Sequence, residues 1–308
     1  IKNTCNEPVI SKSASELISN NPIQSKNEDK LSYAKDAENL LNMLIKNKKR
    51  TSEEALIIGL RGKWGQGKTS YFNLMREAAL SRKDVILLRL NVWQFISYQD
   101  LVKSLLKIIA DGINDISLKN TINEYVKVII DADISYLSKI ISIFHRSKSH
   151  EELFQSISKQ IRELDKTLVI QIDDLDRLTG EEVFYTIKLI RNIANFNNTF
   201  FIVAYDEEYI NNCLEMMHID SSYLEKVFHI IYPLPVVSRN EQLEIIKKEL
   251  VNSLVLLDVN AEKIITDFMT RIGDHISLRN AKRLSNTIQC GLTDLKDEDG
   301  IKLDLYDY

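Results

Sequence analysis

Short apolar runs alternate with amphipathic segments through the middle of the chain. Runs rich in apolar residues predict five β-strands, at 55–60, 85–92, 167–172, 199–205 and 229–237. Between these runs, apolar residues recur every three or four positions, as at Val183, Phe184, Ile187 and Ile190, which predicts helices. Strands that alternate with helices form a parallel sheet with helices on both faces. The pattern therefore predicts an α/β protein, a three-layer αβα sandwich around a five-stranded parallel sheet.

The flanking segments show different patterns. Residues 1 to about 28 are polar and rich in Ser and Asn, which predicts an extended lead-in, and 31–49 has helical spacing. After residue 237 the strand pattern ends, and three helical patterns follow at 240–256, 259–273 and 278–291. We therefore predict an N-terminal extension and helix (1–50), a core (51–237) and a C-terminal helical module (238–308).

One connection inside the predicted core is unusually long. About 70 residues separate the second predicted strand from the third, where a single crossover helix would normally suffice. Helical patterns lie near 97–112, 122–144 and 150–165. The sequence thus predicts a helical insertion over 97–165.

Composition and charge narrow the choice of function. The chain is 44% hydrophobic and 27% charged, as is ordinary for a globular protein, and its net charge of -4 argues against nucleic acid as the main partner. Its three cysteines are far apart and form no C-x-x-C pair, which argues against a zinc site and favours a reducing, cytoplasmic location. No stretch approaches 18 uncharged apolar residues, so no membrane span is expected.

A glycine-rich run lies between the first predicted strand and the next helix. The run is Gly62-Lys63-Trp64-Gly65-Gln66-Gly67-Lys68-Thr69, followed by Ser70, and it satisfies the phosphate-binding pattern G-x-x-x-x-G-K-[ST]. In such a loop the backbone N–H groups hold nucleotide phosphates, Lys68 would reach the β- and γ-phosphates, and the Thr69 hydroxyl would bind Mg²⁺. The alternative is a glycine-rich turn with a coincidental lysine. The strand before the run and the helix after it favour phosphate binding.

Carboxylates follow the third predicted strand. Asp173 would hold Mg²⁺ through water, and Asp174 would orient or deprotonate the water that attacks the γ-phosphate. Asp174 is one methylene shorter than the glutamate often used for this purpose, and Asp176 competes for the role. An ordinary turn rich in Asp is the alternative interpretation.

Two polar residues at the ends of predicted strands could respond to the nucleotide. Asn91 ends the second strand, which is expected beside the strand that carries Asp173, so its amide could hydrogen-bond Asp174 and hold it out of line. Asp206 ends the fourth strand, where a polar residue can sense the γ-phosphate. A turn residue in the first case and a helix cap in the second are the alternatives.

Arginines matter because phosphoryl transfer builds negative charge that a guanidinium stabilises. Arg177, just past the acidic cluster, and Arg279, in the C-terminal helical module, are the candidates. A plain salt bridge is the alternative for each. An arginine that acts in trans would require a homo-oligomer or a partner protein.

Together these motifs resemble the KAP family of P-loop NTPases, within the additional-strand ATPase division. The resemblance spans roughly residues 20–290 and rests on the motifs at 62–70, 91–94, 173–178, 204–206, 223–226 and 278–283. It implies an extra strand between the P-loop strand and the strand that ends at Asp173, and a C-terminal helical lid. It also implies ATP rather than GTP, consistent with the lack of an N-K-x-D guanine motif. Many members carry a transmembrane pair between the second and third strands, and the insertion of this chain has no such span.

The leading hypothesis is a Mg²⁺-dependent ATPase that acts as a conformational or assembly switch. The resemblance links such proteins to membrane-proximal signalling assemblies and to bacterial defence against phage. A nucleotide-binding signalling scaffold with negligible turnover is the second hypothesis, since Asp stands at position 174 instead of Glu. A P-loop kinase that acts on a small molecule is a more distant one.

Overall fold

The computed structural model describes residues 19–51, 54–95, 97–131, 148–220, 222–254 and 278–295. The chain divides into two compact units, residues 22–236, and residues 237–308 together with 1–21. The helix predicted at 259–273 lies outside the described residues, as do most of the lead-in and the end of the pattern at 122–144.

A five-stranded parallel sheet forms the centre of the first unit. Its strands are β1 (Leu56–Arg61), β2 (Val85–Asn91), β3 (Thr167–Asp173), β4 (Thr199–Tyr205) and β5 (Ile230–Pro233). They pair in the order β2-β3-β4-β1-β5, and every pairing is parallel. Strand β4 therefore lies between β1 and β3, in the place expected for the additional strand. The predicted fold class is confirmed.

Helices connect these strands. In the first unit they are α1 (Tyr33–Lys46), α2 (Lys68–Leu80), α3 (Tyr98–Ile113), α4 (Ile116–Asp131), α5 (Lys148–Glu163), α6 (Gly180–Asn192), α7 (Glu207–Met216) and α8 (Tyr223–Val227). Helices α3, α4 and α5 lie between β2 and β3 in the chain and form the predicted helical insertion.

The central strands show why the sequence folds this way. Every residue of β3 and β4 is buried, as expected for strands with both faces covered by helices. The polar residue in the middle of β3 is Gln171, which is fully buried and donates its Nε2 to the Phe72 carbonyl at 3.2 Å. This hydrogen bond ties β3 to α2, the helix that follows the glycine-rich run.

Helix α1 packs on the sheet unit instead of forming a separate extension. Its buried face consists of Ala37, Leu40, Leu41 and Leu44, which recur at helical spacing and pack beside α2. Burial of this apolar stripe gives the helix a place in the unit of residues 22–236.

The second unit contains two described helices, α9 (Arg239–Leu254) and α10 (Leu278–Leu295). They pack against each other and bury Ile246, Leu250, Ala281 and Ser285. Among all the helices within the described ranges, none is both long and apolar enough to cross a bilayer.

The carboxyl ends of the parallel strands meet at one edge of the sheet, where ligands bind in open α/β folds. Asn91 at the end of β2 pairs in register with Asp173 at the end of β3. The Gly62 N–H, just past β1, donates to the Tyr205 carbonyl at the end of β4 at 3.0 Å. The candidate residues of the sequence therefore gather at this edge.

Candidate nucleotide-binding site

The glycine-rich run forms a compact loop between β1 and α2. Gln66 closes the loop, because its side-chain Oε1 accepts the Lys63 N–H at 2.8 Å and its own N–H donates to the Lys63 carbonyl at 3.2 Å. Gly65 and Gly67 have φ angles of 79° and 102°, a left-handed conformation that side chains with a Cβ rarely adopt. Glycine at these two positions is therefore a requirement of the loop's backbone.

Lys68 opens α2 and is almost fully buried. Its Nζ donates to the Gly62 carbonyl at 3.0 Å and pairs with Asp176 Oδ2 at 2.9 Å. The side chains of Lys68 and Asp176 are only 7% and 5% exposed. Asp176, considered above as a competitor of Asp174, is thus the carboxylate that contacts the lysine of the loop.

Asp173, the last residue of β3, is buried in a polar network. Its Oδ2 forms an ion pair with Nη2 of Arg89 in β2, and its Oδ1 accepts the Asp174 N–H at 3.0 Å. Nη1 of Arg89 donates to Asn73 Oδ1 in α2 at 2.6 Å. Arg89 was missed by the sequence reasoning. The signal was a single charge inside the apolar strand Val85–Asn91, because a buried charge requires a partner.

Asp174 is held by Arg177. The Nε of Arg177 lies 2.8 Å from Asp174 Oδ1, and its guanidinium carbon lies 5.3 Å from the centre of the Trp93 ring. Burial raises the pKa of Asp174 above 3.8 and the charge of Asp173 adds to the rise, whereas Arg177 lowers it. Asp174 also has a φ of 63°, so the chain turns sharply where β3 ends.

Asn91 does not make the predicted contact. Among the described contacts there is no hydrogen bond between Asn91 and Asp174, and the buried Oδ1 of Asn91 has no hydrogen-bond partner. Asp174 pairs with Arg177 instead. A guanidinium forms a charge-assisted bond with a carboxylate, which is roughly twice as strong as a bond from a neutral amide.

Asp206 caps a helix, as the alternative interpretation expected, and its role as a γ-phosphate sensor stays a prediction. Its Oδ1 accepts the N–H groups of Glu208 at 3.1 Å and Tyr209 at 3.4 Å, so it caps α7. Its Oδ2 accepts the Trp64 N–H at 2.7 Å. Asp206 therefore joins the end of β4 to the glycine-rich loop, while the Trp64 side chain is 53% exposed.

The remaining candidates from the sequence are Thr69 and Ser70 in α2 and Arg279 in the second unit. Thr69 is the second residue of α2 and half-buried, and the Ser70 Oγ accepts the Ile23 N–H at 3.3 Å. Arg279 lies on α10 in the second unit, so its role stays a prediction.

The donor set fits Mg²⁺ held together with a nucleotide. Within the described ranges, no group of three or more His, Cys, Asp or Glu side chains could hold a metal ion alone. Mg²⁺ at phosphate sites usually takes one or two protein oxygens and completes its shell with water and phosphate oxygens. The hydroxyl of Thr69 and the carboxylate of Asp173 are oxygen donors of this kind.

A phosphate-binding loop between β1 and α2, with an additional strand between β1 and an acid-tipped β3, defines a nucleotide-binding P-loop NTPase. The model of the KAP family P-loop domain matches residues 33–291. The chain therefore belongs to the KAP family.

One curated protein is similar to the chain in sequence. A curated relative, the phage T7 exclusion protein of Escherichia coli (strain K12), is 23% identical over 250 residues, and the match covers 68% of this chain and 33% of the relative. The chain thus spans about a third of the length of that relative.

The chain is also similar to proteins whose structures have been solved. A Walker-type ATPase of Pyrococcus abyssi has 14% identity and a TM-score of 0.44, over 91% of this chain and 79% of the other. The Drosophila ORC bound to DNA has 14% identity and a TM-score of 0.46, over 86% of this chain and 65% of the other.

Proposed function

We propose that the protein is a Mg²⁺-dependent ATPase whose turnover drives a conformational or assembly switch. The observation that carries the proposal is the contact between the P-loop and the acidic end of β3. Lys68 Nζ lies 2.9 Å from Asp176, which is part of the short helical turn Leu175–Arg177. Asp173 and Asp174 immediately precede this turn. A phosphate-binding lysine and several carboxylates thus meet at one edge of the sheet, as phosphoryl transfer requires.

The backbone N–H groups of the loop would bind the phosphates of ATP, and Lys68 would neutralise the charge on the β- and γ-phosphates. Thr69 and Asp173 would hold Mg²⁺, which when bound screens the negative charge of the phosphates. Asp174 would orient the attacking water and accept its proton. Burial raises the pKa of Asp174 despite the opposing effect of Arg177, which favours proton transfer from water to this carboxylate.

The switch would act between copies of this chain or with a partner protein. Arg177 and Arg279 are the proposed arginines that stabilise the transferring phosphoryl group, and one of them would act in trans. Asp206 would sense the γ-phosphate, and Asn91 would bind Asp174 only in a state in which a ligand or partner protein has moved that carboxylate. The name of the curated relative, a phage exclusion protein, supports a role in antiviral defence, although the match covers only 33% of that relative.

A nucleotide-binding scaffold with negligible turnover is the second candidate function. It is favoured by the ion pair between Asp174 Oδ1 and Arg177 Nε at 2.8 Å, since this oxygen is already engaged by a cation and is less available to accept a proton from water. In this case nucleotide binding alone would set the conformation.

Two variants separate these functions. Lys68→Ala should abolish both binding of a fluorescent ATP analogue and phosphate release, because it removes the cation that faces the phosphates. Asp174→Asn should keep binding and lower phosphate release by about 100-fold, the contribution typical of a general base. Lys159→Ala, which removes a lysine that is 75% exposed on α5, is the matched control and should change neither.

The same variants can be tested in cells challenged with phage. Loss of protection in both would support hydrolysis as the driving step, whereas loss only in Lys68→Ala would support the scaffold. Wild-type protein that binds ATP but releases no phosphate at any protein concentration would refute the ATPase proposal. Transfer of phosphate to a small molecule instead of water would indicate a kinase.

A further inference from the structure

The side chain of Tyr33 connects α1 with the P-loop. Tyr33 is the first residue of α1 and is 2% exposed. Its hydroxyl donates to the Gln66 carbonyl at 3.1 Å. Its ring atom Cε2 would lie 3.3 Å from a Cβ placed on Gly67. A residue outside every motif of the site thus contacts the loop immediately before Lys68.

This contact fixes the orientation of one peptide group. The C=O of Gln66 and the N–H of Gly67 belong to the same planar trans peptide, so they point in opposite directions. A hydrogen bond that holds the carbonyl toward Tyr33 therefore aims the Gly67 N–H away from α1. Backbone N–H groups at this part of a P-loop are the ones that bind phosphate. The hydroxyl of Tyr33 acts on the loop through this peptide.

Helix α1 is itself firmly anchored, so Tyr33 cannot easily follow movements of the loop. The Asp36 carboxylate accepts the hydroxyl of Tyr71 in α2 at 2.6 Å and the hydroxyl of Tyr232 in β5 at 3.0 Å. The rings of Tyr33 and Tyr71 meet edge to face, with 6.0 Å between their centres. These contacts attach α1 to the helix after the loop and to the strand beside β1.

The segment that leads into α1 also contacts α2, the helix that follows the P-loop. The Ile23 N–H donates to Ser70 Oγ at 3.3 Å, and Asn73 Nδ2 donates to the Ile23 carbonyl at 2.8 Å. Residues 23–46 therefore contact both the P-loop and the first turns of α2.

We propose that α1 is part of the nucleotide-binding machinery and that Tyr33 is a positioning residue, which orients the Gln66–Gly67 peptide for phosphate binding. The inference rests on the proposed function, because it assumes that the loop binds ATP. It extends that function by assigning a role to the segment that precedes β1.

The test compares two variants that each lose one buried hydroxyl from the same cluster. Tyr33→Phe removes the hydrogen bond to the loop, and Tyr71→Phe removes the hydrogen bond to Asp36 and leaves the loop contact in place. Tyr33→Phe should raise the Kd for a fluorescent ATP analogue and the KM for ATP about fivefold, the effect of one net hydrogen bond, with kcat within about twofold of wild type. Tyr71→Phe should lower the Tm of the protein and leave the Kd unchanged, because the hydroxyl of Tyr232 still holds Asp36 and the hydrogen bond from Tyr33 to the loop is intact.

The outcomes are distinguishable from a failure of the proposed function. Wild-type protein that does not bind ATP would overturn both proposals. Wild-type binding with an unchanged Kd in Tyr33→Phe would overturn only the positioning role. An equal loss of affinity in Tyr71→Phe would also overturn it, because the effect would then reflect general stability of the cluster.

Discussion

The buried pair between Lys68 and Asp176 leads to a quantitative prediction. Asp176→Asn keeps the size of the side chain and removes its charge, which leaves the buried ammonium with the carbonyls of Gly62 at 3.0 Å and Lys63 at 3.4 Å. Removal of one partner from a buried ion pair costs about 3–5 kcal/mol, and the two remaining hydrogen bonds place this case near 3 kcal/mol. For a unit of this size each kcal/mol lowers the Tm by about 2–4 °C, so the Tm should fall by about 6–12 °C.

Thermal unfolding followed by circular dichroism, with and without Mg²⁺ and ATP, measures this effect. The triphosphate would bring its own negative charge to Lys68, so saturating ATP should reduce the Tm difference between Asp176→Asn and wild type. Asp165→Asn is the matched control. Asp165 lies at the same 2.9 Å from Lys48, but its side chain is fully exposed, so its replacement should leave the Tm unchanged.

Two results would refute the reasoning. A Tm equal to that of wild type in the absence of nucleotide would show that the pair between Lys68 and Asp176 does not stabilise the fold. A Tm difference that saturating ATP leaves intact would show that phosphate does not replace the carboxylate of Asp176 beside Lys68.

Two pH experiments follow from the other buried charges. Burial lowers the pKa of His150 below 6.5, so the stability that depends on neutral His150 is complete above that pH and is lost as the pH falls below it. In His150→Phe, the urea midpoints at about pH 5.5 and about pH 7.5 should therefore differ less than they do in wild type. An equal difference in the two proteins would contradict this. Arg177→Ala should raise the pKa of Asp174 further and move the acidic limb of the pH–rate profile for ATP hydrolysis to higher pH. The profile of Arg177→Lys, which keeps a positive charge, should stay closer to that of wild type. A shift of the Arg177→Ala profile to lower pH would count against Asp174 as the base.

The sheet could be predicted because burial of its central strands on both faces leaves a clear apolar pattern in the sequence. Strands covered on both faces are mostly apolar, and β3 and β4 appear in the sequence as short runs of predominantly apolar residues. The P-loop was equally visible, because the left-handed conformations at Gly65 and Gly67 restrict those positions to glycine.

The pairing of charges within the site could not be predicted. Asp173, Asp174 and Asp176 are near neighbours in sequence, yet they contact Arg89, Arg177 and Lys68 respectively. The left-handed φ of Asp174 and the short helical turn over 175–177 rotate successive side chains in different directions. Such rotations depend on the packing of the turn, which residue types and spacing do not reveal.

The role assigned to Tyr33 was hidden for a related reason. At the level of sequence it is one buried position of an amphipathic helix, and its hydroxyl contacts a carbonyl 33 residues away in the chain. Backbone atoms carry no sequence signal, so a contact of this kind is visible only in the folded structure.

The additional strand limits which side chains at the end of β3 can directly contact a phosphate held by the P-loop. With β4 between β1 and β3, the ends of those two strands are separated by two strand spacings, or about 9.5 Å. An aspartate side chain spans only a fraction of that distance, so a carboxylate at the tip of β3 needs water or a metal ion to act on a phosphate held after β1. Asp176 lies beyond the strand, on a turn that brings it back to Lys68 directly. Of the three carboxylates that follow β3, Asp176 thus contacts the loop lysine itself, whereas Asp173 and Asp174 must work through an intermediary.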